Sequence, residues 1–95
     1  MEKGPIPEAL IDVARADALG GNLDAARERV KSVLAVEPDN FEALSVFAYV
    51  EARFQDYPVA ARLYRRALEM QDSPAVRAAL AQLPEESLTE REPVQ

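Results

Sequence analysis

The chain is laid out twice. Residues 7–40 align over residues 41–74 without a gap at an offset of 34, and seven pairs are identical: Glu8/Glu42, Ala9/Ala43, Leu10/Leu44, Ala14/Ala48, Ala18/Ala52, Ala26/Ala60 and Leu34/Leu68. Five of the seven are alanine or glutamate, which are common here, so identity alone is thin evidence. The stronger signal is that size and chemistry track as well, at Val13/Phe47, Asp17/Glu51, Asn22/Asp56, Leu23/Tyr57, Val30/Tyr64 and Val36/Met70. Helix breakers recur at the same interval, with Pro38-Asp39-Asn40 opposite Asp72-Ser73-Pro74. A helix–turn–helix period of 34 residues is one supersecondary unit used twice. Each unit leaves an apolar flank bare, so the units must stack to bury it.

Local signals divide the chain into five helices. Pro7 suits a first helical position, and the first helix runs Pro7–Leu19 with Leu10, Val13, Ala14 and Asp17 on its inward stripe. Gly20-Gly21 ends it, because glycine supplies the left-handed angles of a helix C-terminus. Asn22 caps the second helix, Leu23–Val36, whose inward face is Ala26, Val30, Val33 and Leu34. The two-glycine connection makes an antiparallel pair. After Pro38, Asp39 or Asn40 caps a third helix over 41–55, the most apolar segment, greasy on more than one side and therefore packed between neighbours. Asp56 caps a fourth helix that continues to Met70, its inward face built from Ala60, Leu63 or Tyr64, Ala67 and Leu68, with Arg62, Arg65 and Arg66 outward. Ser73 caps a fifth, over 74–83, with Val76, Ala79, Leu80 and Leu83 at helical spacing. An extended leader occupies 1–6 and an acidic, flexible tail 84–95, with one loose turn expected near Leu88.

Composition narrows the function. At 95 residues the chain is one small domain, and 48% hydrophobic with 29% charged residues describes a globular protein. A formal charge of −6 argues against nucleic acid and anionic membrane, which call for a basic footprint. The chain contains no cysteine and no histidine, and its three glycines form no phosphate loop, so no cofactor or metal is expected. No apolar run reaches membrane-spanning length, and membrane insertion is not expected. The bland expectation is a cytoplasmic, all-α protein that is not an enzyme. Arginine outnumbers lysine nine to two, which is compatible with a bacterial source of high genomic GC.

These residues resemble the tetratricopeptide repeat (TPR) family over 7–83. Small residues stand where that family's helices approach closely, at Ala14/Ala48 and Ala26/Ala60. Large apolar residues Leu10/Leu44 and Val13/Phe47, the smaller Val33/Ala67 and the turn proline Pro38 also match. The pattern's tryptophan is Leu10/Leu44 here, its first-helix tyrosine is Asp17 and Glu51, its second-helix aromatic is Val30 in repeat one, and its turn proline is Asp72 in repeat two. The resemblance implies an antiparallel helix–turn–helix α-solenoid: repeat one over 7–40, repeat two over 41–74, and a capping helix over 74–83. Helix three would touch helices one, two, four and five.

The resemblance further implies a concave groove lined by the first helix of each repeat. Projected here, helix one offers Glu8, Ile11, Asp12, Arg15 and Leu19, and helix three offers Glu42, Ser45, Val46, Tyr49, Ala52 and Arg53. Val76 and Ala79 of helix five close it. Arginine and tyrosine combine contact area with polar reach and carry disproportionate energy at interfaces, which singles out Arg15, Tyr49 and Arg53. The bland alternative is that Tyr49 is half-buried packing and the arginines pair with Glu8, Asp12 or Glu42. The family's carboxylate clamp for chaperone C-termini needs lysine and asparagine, then asparagine, then lysine and arginine. Ile11 and Arg15, Val46, and Val76 and Leu80 stand there, so the clamp is absent. The groove suits an amphipathic helix or an extended peptide with some acidic character. The function so implied is a protein-interaction adaptor or assembly chaperone. A self-assembling, homo-oligomeric scaffold is the alternative, since repeat arrays usually need about three units for stability.

Two charged features have structural explanations. Asp17 and Glu51 occupy equivalent sites about 10 Å apart, the spacing of packed helices, and each is expected to pair with an arginine such as Arg27 or Arg53 rather than to share a catalytic pocket. Arg62, Arg65 and Arg66 read as a solvated face paired with Glu69 or covered by the acidic tail.

Overall fold

The computed structural model describes residues 7–84. The expected leader over 1–6 and the expected tail, apart from Pro84, lie outside the described residues. Five helices follow in order: α1 Pro7–Leu19, α2 Leu23–Val36, α3 Phe41–Arg53, α4 Tyr57–Met70 and α5 Pro74–Ala81. The described residues form an all-α fold without strands. No helix among them is long and apolar enough to cross a membrane.

The five helices pack mainly on their neighbours in the chain. α1 lies against α2, α2 against α3, α3 against α4 and α4 against α5, and α1 also touches α3. One apolar cluster joins the first hairpin to α3 through Ile11, Ala14, Ala18, Ala26, Val30, Val33, Ala43, Val46 and Val50. A second joins α3, α4 and α5 through Ala48, Ala60, Ala61, Tyr64, Val76 and Leu83. α3 contributes to both, which accounts for its apolar residues on several sides. Its principal contacts are with α1, α2 and α4; α5 rests chiefly on α4, so the expected close packing of α3 on α5 gives way to an open depression between them.

The inward stripe of α1 is rotated from the expected one. Ile11, Ala14 and Ala18 are buried, whereas Val13 is 44% exposed. Helical spacing with Leu10 and Ala14 places Val13 inward, and its counterpart Phe47 is indeed half-buried against the first hairpin. α1 begins the described stack, and none of the described helices lies on its Val13 side.

The same device ends α1 and α3. In α1, the Asn22 N–H donates to the Asp17 carbonyl at 2.7 Å and the Gly21 N–H to the Ala18 carbonyl at 3.1 Å, with Gly21 at φ 89°. Thirty-four residues on, the Asp56 N–H donates to the Glu51 carbonyl and the Gln55 N–H to the Ala52 carbonyl, both at 2.9 Å, with Gln55 at φ 67°. This is the paired closure of a left-handed helix end. It stops α3 at Arg53, two residues before the expected end, because Gln55 takes the angle that glycine takes in repeat one. α5 likewise ends at Ala81, with Gln82 as its C-cap and Leu83 turned into the second cluster.

The caps divide into two kinds. The Asn40 side chain accepts from the Ala43 N–H at 2.9 Å, and the Ser73 hydroxyl accepts from the Val76 N–H at 3.2 Å. Asn22 and Asp56 hold the cap positions of α2 and α4 without a side-chain cap bond. Each is also the residue whose N–H closes the preceding helix.

Candidate binding groove

Phe41, Glu42, Ser45, Val46 and Tyr49 lie at intervals of one, three and four on α3, which makes one helical face. That face forms the floor of a depression of about 400 Å³. Arg15, Ala18 and Leu19 of α1 make one wall, Ala75, Val76 and Ala79 of α5 the other, with Ser73 at the cap and Tyr64 reaching in from α4. The volume lies in the range of peptide and small-ligand sites, and the lining is mostly apolar.

Of the predicted groove residues, the structure brings together Arg15, Leu19, Glu42, Ser45, Val46, Tyr49, Val76 and Ala79. Ile11 does not belong: only 1% of it is exposed, because it is the α1 residue that seats against α2 and α3. Ala52 packs toward the second cluster instead of lining the depression. Glu8, Asp12 and Arg53 are exposed and do not line the depression, although Arg53 reaches the hydroxyl of Tyr49, which does.

Phe41, Tyr64, Ala18, Ser73 and Ala75 line the depression although the sequence projection left them out. Phe41 is the first residue of α3, one turn before Ser45, and the i, i+4 spacing could have found it. Tyr64 belongs to a second helix of a repeat, which the groove projection leaves out by construction.

Polar groups here are few and mostly engaged. Arg53 Nη1 donates to the Tyr49 hydroxyl at 3.0 Å, and its guanidinium carbon is 5.8 Å from that ring's centre. Arg15 Nη1 donates to Asp12 Oδ1 at 3.2 Å, an exposed pair of little energetic weight. Ser45 returns its hydroxyl to the Phe41 carbonyl at 2.9 Å and offers the groove little more than a methylene. Tyr64 is different: it is only 5% exposed, and its phenol makes no hydrogen bond to another described residue. Burial, with the neighbouring Tyr49 adding, pushes the Tyr64 phenol up from its ordinary range.

The paired carboxylates are structural. Glu51, 4% exposed, receives two bonds from Arg27, Nε to Oε2 at 2.8 Å and Nη2 to Oε1 at 3.0 Å. This fork ties the second helix of repeat one to the first helix of repeat two. Hydrogen bonding to Glu51, against an opposing effect of burial, raises the Arg27 pKa, and the charges of Glu51, Asp24 and Glu28 add to it. The same guanidinium lies 4.1 Å over the Phe54 ring. Asp17 faces Arg29 rather than Arg27 or Arg53. Arg29 Nε and Asp17 Oδ2 are 3.0 Å apart, an ion pair by distance, but their alignment makes no hydrogen bond and both atoms are buried. The carboxylates thus serve separate helix contacts, and among the described residues no acidic cluster could hold a metal ion.

On α4's outward face, Val59, Arg62, Leu63, Arg65, Arg66 and Glu69 line a second, open depression. Arg66 Nη2 meets Asp39 Oδ1 at 2.8 Å, in place of the expected pairing with Glu69, and so fastens α4 to the connection between α2 and α3. Arg77 pairs with Asp72 at the start of α5.

No protein-family model matches the chain, and comparisons with curated proteins and with solved structures return no match.

Proposed function

We propose that the protein is a non-catalytic, TPR-like interaction module, an adaptor or assembly chaperone, that holds a helix or peptide of a partner in the groove between α1, α3 and α5. The supporting observation is the coincidence of an apolar depression of about 400 Å³ with the α3 face that carries Val46 and Tyr49. Apolar lining with a few placed polar groups is what a peptide side chain needs, and Tyr49 in the lining with Arg53 bonded to its hydroxyl supplies the residue types that anchor interfaces. Tyr49→Ala and Arg53→Glu are expected to remove a captured partner while helicity and melting temperature are kept. Arg65→Glu, on α4's outward face, is expected to leave capture unchanged. Retention of the partner by both groove variants rejects the reading.

One observation favours a second reading, self-assembly. Ala9, Val13 and Ala16 form an exposed stripe whose counterparts in repeat two, Ala43, Phe47 and Val50, pack against repeat one. A second copy covering that stripe would complete the stack. Sedimentation at micromolar concentration decides: concentration-dependent dimer that Val13→Lys abolishes supports it, and a monomer at every concentration rejects it.

A further inference from the structure

The groove is polar along its length. Glu42 is the second residue of α3 and Arg53 its last, eleven residues apart, which is about 16 Å along the helix axis. On α1, Arg15 is the counterpart of Tyr49 at the 34-residue offset and lines the same depression, whereas Glu8 at the start of α1 lies outside it. The placement suits each helix's own dipole, with acid at the N-terminus and base toward the C-terminus. Set side by side, the two helices give the groove an acidic end and a basic end. Arg53 meets no carboxylate among the described residues, and Arg15 meets only the exposed Asp12. Between the ends lies Tyr64, whose ring is buried while its hydroxyl oxygen is not among the buried atoms and bonds to no other described residue.

Resting on the peptide-groove reading above, we infer that the occupant is an extended, bipolar peptide: a basic residue at the Glu42 end, apolar residues in the middle, an acidic residue at the Arg15/Arg53 end, and a backbone carbonyl over the Tyr64 hydroxyl. Extension rather than helix follows from two observations. A helix spends its carbonyls on itself except in the last turn, so it has no acceptor to offer Tyr64 at mid-length. A depression of about 400 Å³ takes a few side chains, while a helix with its side chains is about 10–12 Å across. At about 3.3 Å per residue, the 16 Å between the charged ends spans about five residues, and since only residues an even number apart share a face, two charges with two inward apolar residues between them stand about six residues apart. Alternate residues between them point into the groove, which calls for apolar side chains at every second position.

The test uses three end-blocked peptides with a common Leu-x-Phe centre, titrated at low ionic strength and followed by fluorescence anisotropy. One carries lysine and glutamate about six residues apart, on the same face as the leucine and phenylalanine, one glutamate at both places, and one lysine at both. The bipolar peptide is expected to bind about fivefold tighter than either other, the scale of exposed ion pairs. Arg53→Glu should weaken the bipolar and acidic peptides and spare the basic one, and Glu42→Lys should weaken the bipolar and basic peptides and spare the acidic one. Tyr64→Phe, which keeps the ring, should weaken all three by about threefold to tenfold, the net worth of a hydrogen bond. Equal affinity for the three peptides, or the same loss across all three for both charge variants, overturns the polarity and leaves the groove reading standing. Full binding to Tyr64→Phe overturns the acceptor over the phenol. Failure of all three peptides to bind overturns the inference and the groove reading together.

Discussion

Breaking the Arg27–Glu51 fork should cost far more than breaking any other ion pair described in this chain. The Glu51 side chain is 6% exposed and that of Arg27 31% exposed, so solvent reaches the guanidinium but hardly the carboxylate. Arg27→Met keeps an unbranched apolar stem over Phe54 and removes both hydrogen bonds, leaving Glu51 buried without its cation. A fully buried pair loses about 3–5 kcal/mol in that way. Partial exposure of Arg27 screens the pair, and the expected loss is about 2–3 kcal/mol. Loss of the guanidinium over Phe54 is a further ~0.5–1 kcal/mol, partly recovered by methionine's own contact with the ring. For a domain whose whole stability is about 5–14 kcal/mol, this is a large share. Arg27→Met/Glu51→Leu removes the stranded charge and should return to within about 1 kcal/mol of the parent. Urea melts of the parent, both single variants and the double variant close the cycle, with a coupling of about 2 kcal/mol or more. Because the pair is largely shielded, raising salt should change the Arg27→Met loss little. A loss below about 0.5 kcal/mol for Arg27→Met, or simple additivity in the double variant, would refute the claim that this fork joins the repeats.

Other perturbations have equally definite outcomes. Asn40→Ala and Ser73→Ala should each destabilise by about 1 kcal/mol in urea melts, whereas Asn22→Ala and Asp56→Ala, lacking side-chain cap bonds, should cost much less; equal losses at all four would contradict the cap assignments. Gln55→Gly should stabilise by about 0.5–1 kcal/mol, since the left-handed angle that strains glutamine is free for glycine and part of the gain is lost to the greater freedom of the unfolded chain; destabilisation would contradict it. In an alkaline titration followed by phenolate absorbance, the phenol lost in Tyr64→Phe should be one that ionises above the ordinary tyrosine range. Its raised pKa in the fold means that the associated stability is complete below about pH 10 and is lost as pH climbs through the folded value. Tyr64→Phe should remove that alkaline loss, and an unchanged alkaline melting profile would contradict it.

What could be read in the sequence was the feature that recurs. The 34-residue offset, the breaker at Pro38 and the caps Asn40 and Ser73 are local and periodic, and α1, α2 and α4 have the expected bounds. What could not be read depends on neighbours. Val13 looks inward by its spacing with Leu10 and Ala14, but it is exposed, and Ile11, packed in the first cluster, turns into the core and leaves the groove. Gln55 looks helical by propensity, yet it adopts the angle of its counterpart Gly21 and shortens α3. Glu51 was expected to need an arginine, and Arg27 is its partner, whereas Arg29 as the partner of Asp17 rests on the facing of two helices that spacing alone does not fix. Tyr64 reaches the groove from a helix that the groove projection did not count.

The most direct test of the groove is an amide map of the isotope-labelled protein titrated with the bipolar peptide. The largest shifts are expected at Leu19, Ser45, Val46, Tyr49, Val76 and Ala79, with α4's outward face at Arg62–Arg66 unmoved. Shifts confined to that outward face or to the Ala9/Val13/Ala16 stripe, with the groove silent, would contradict it.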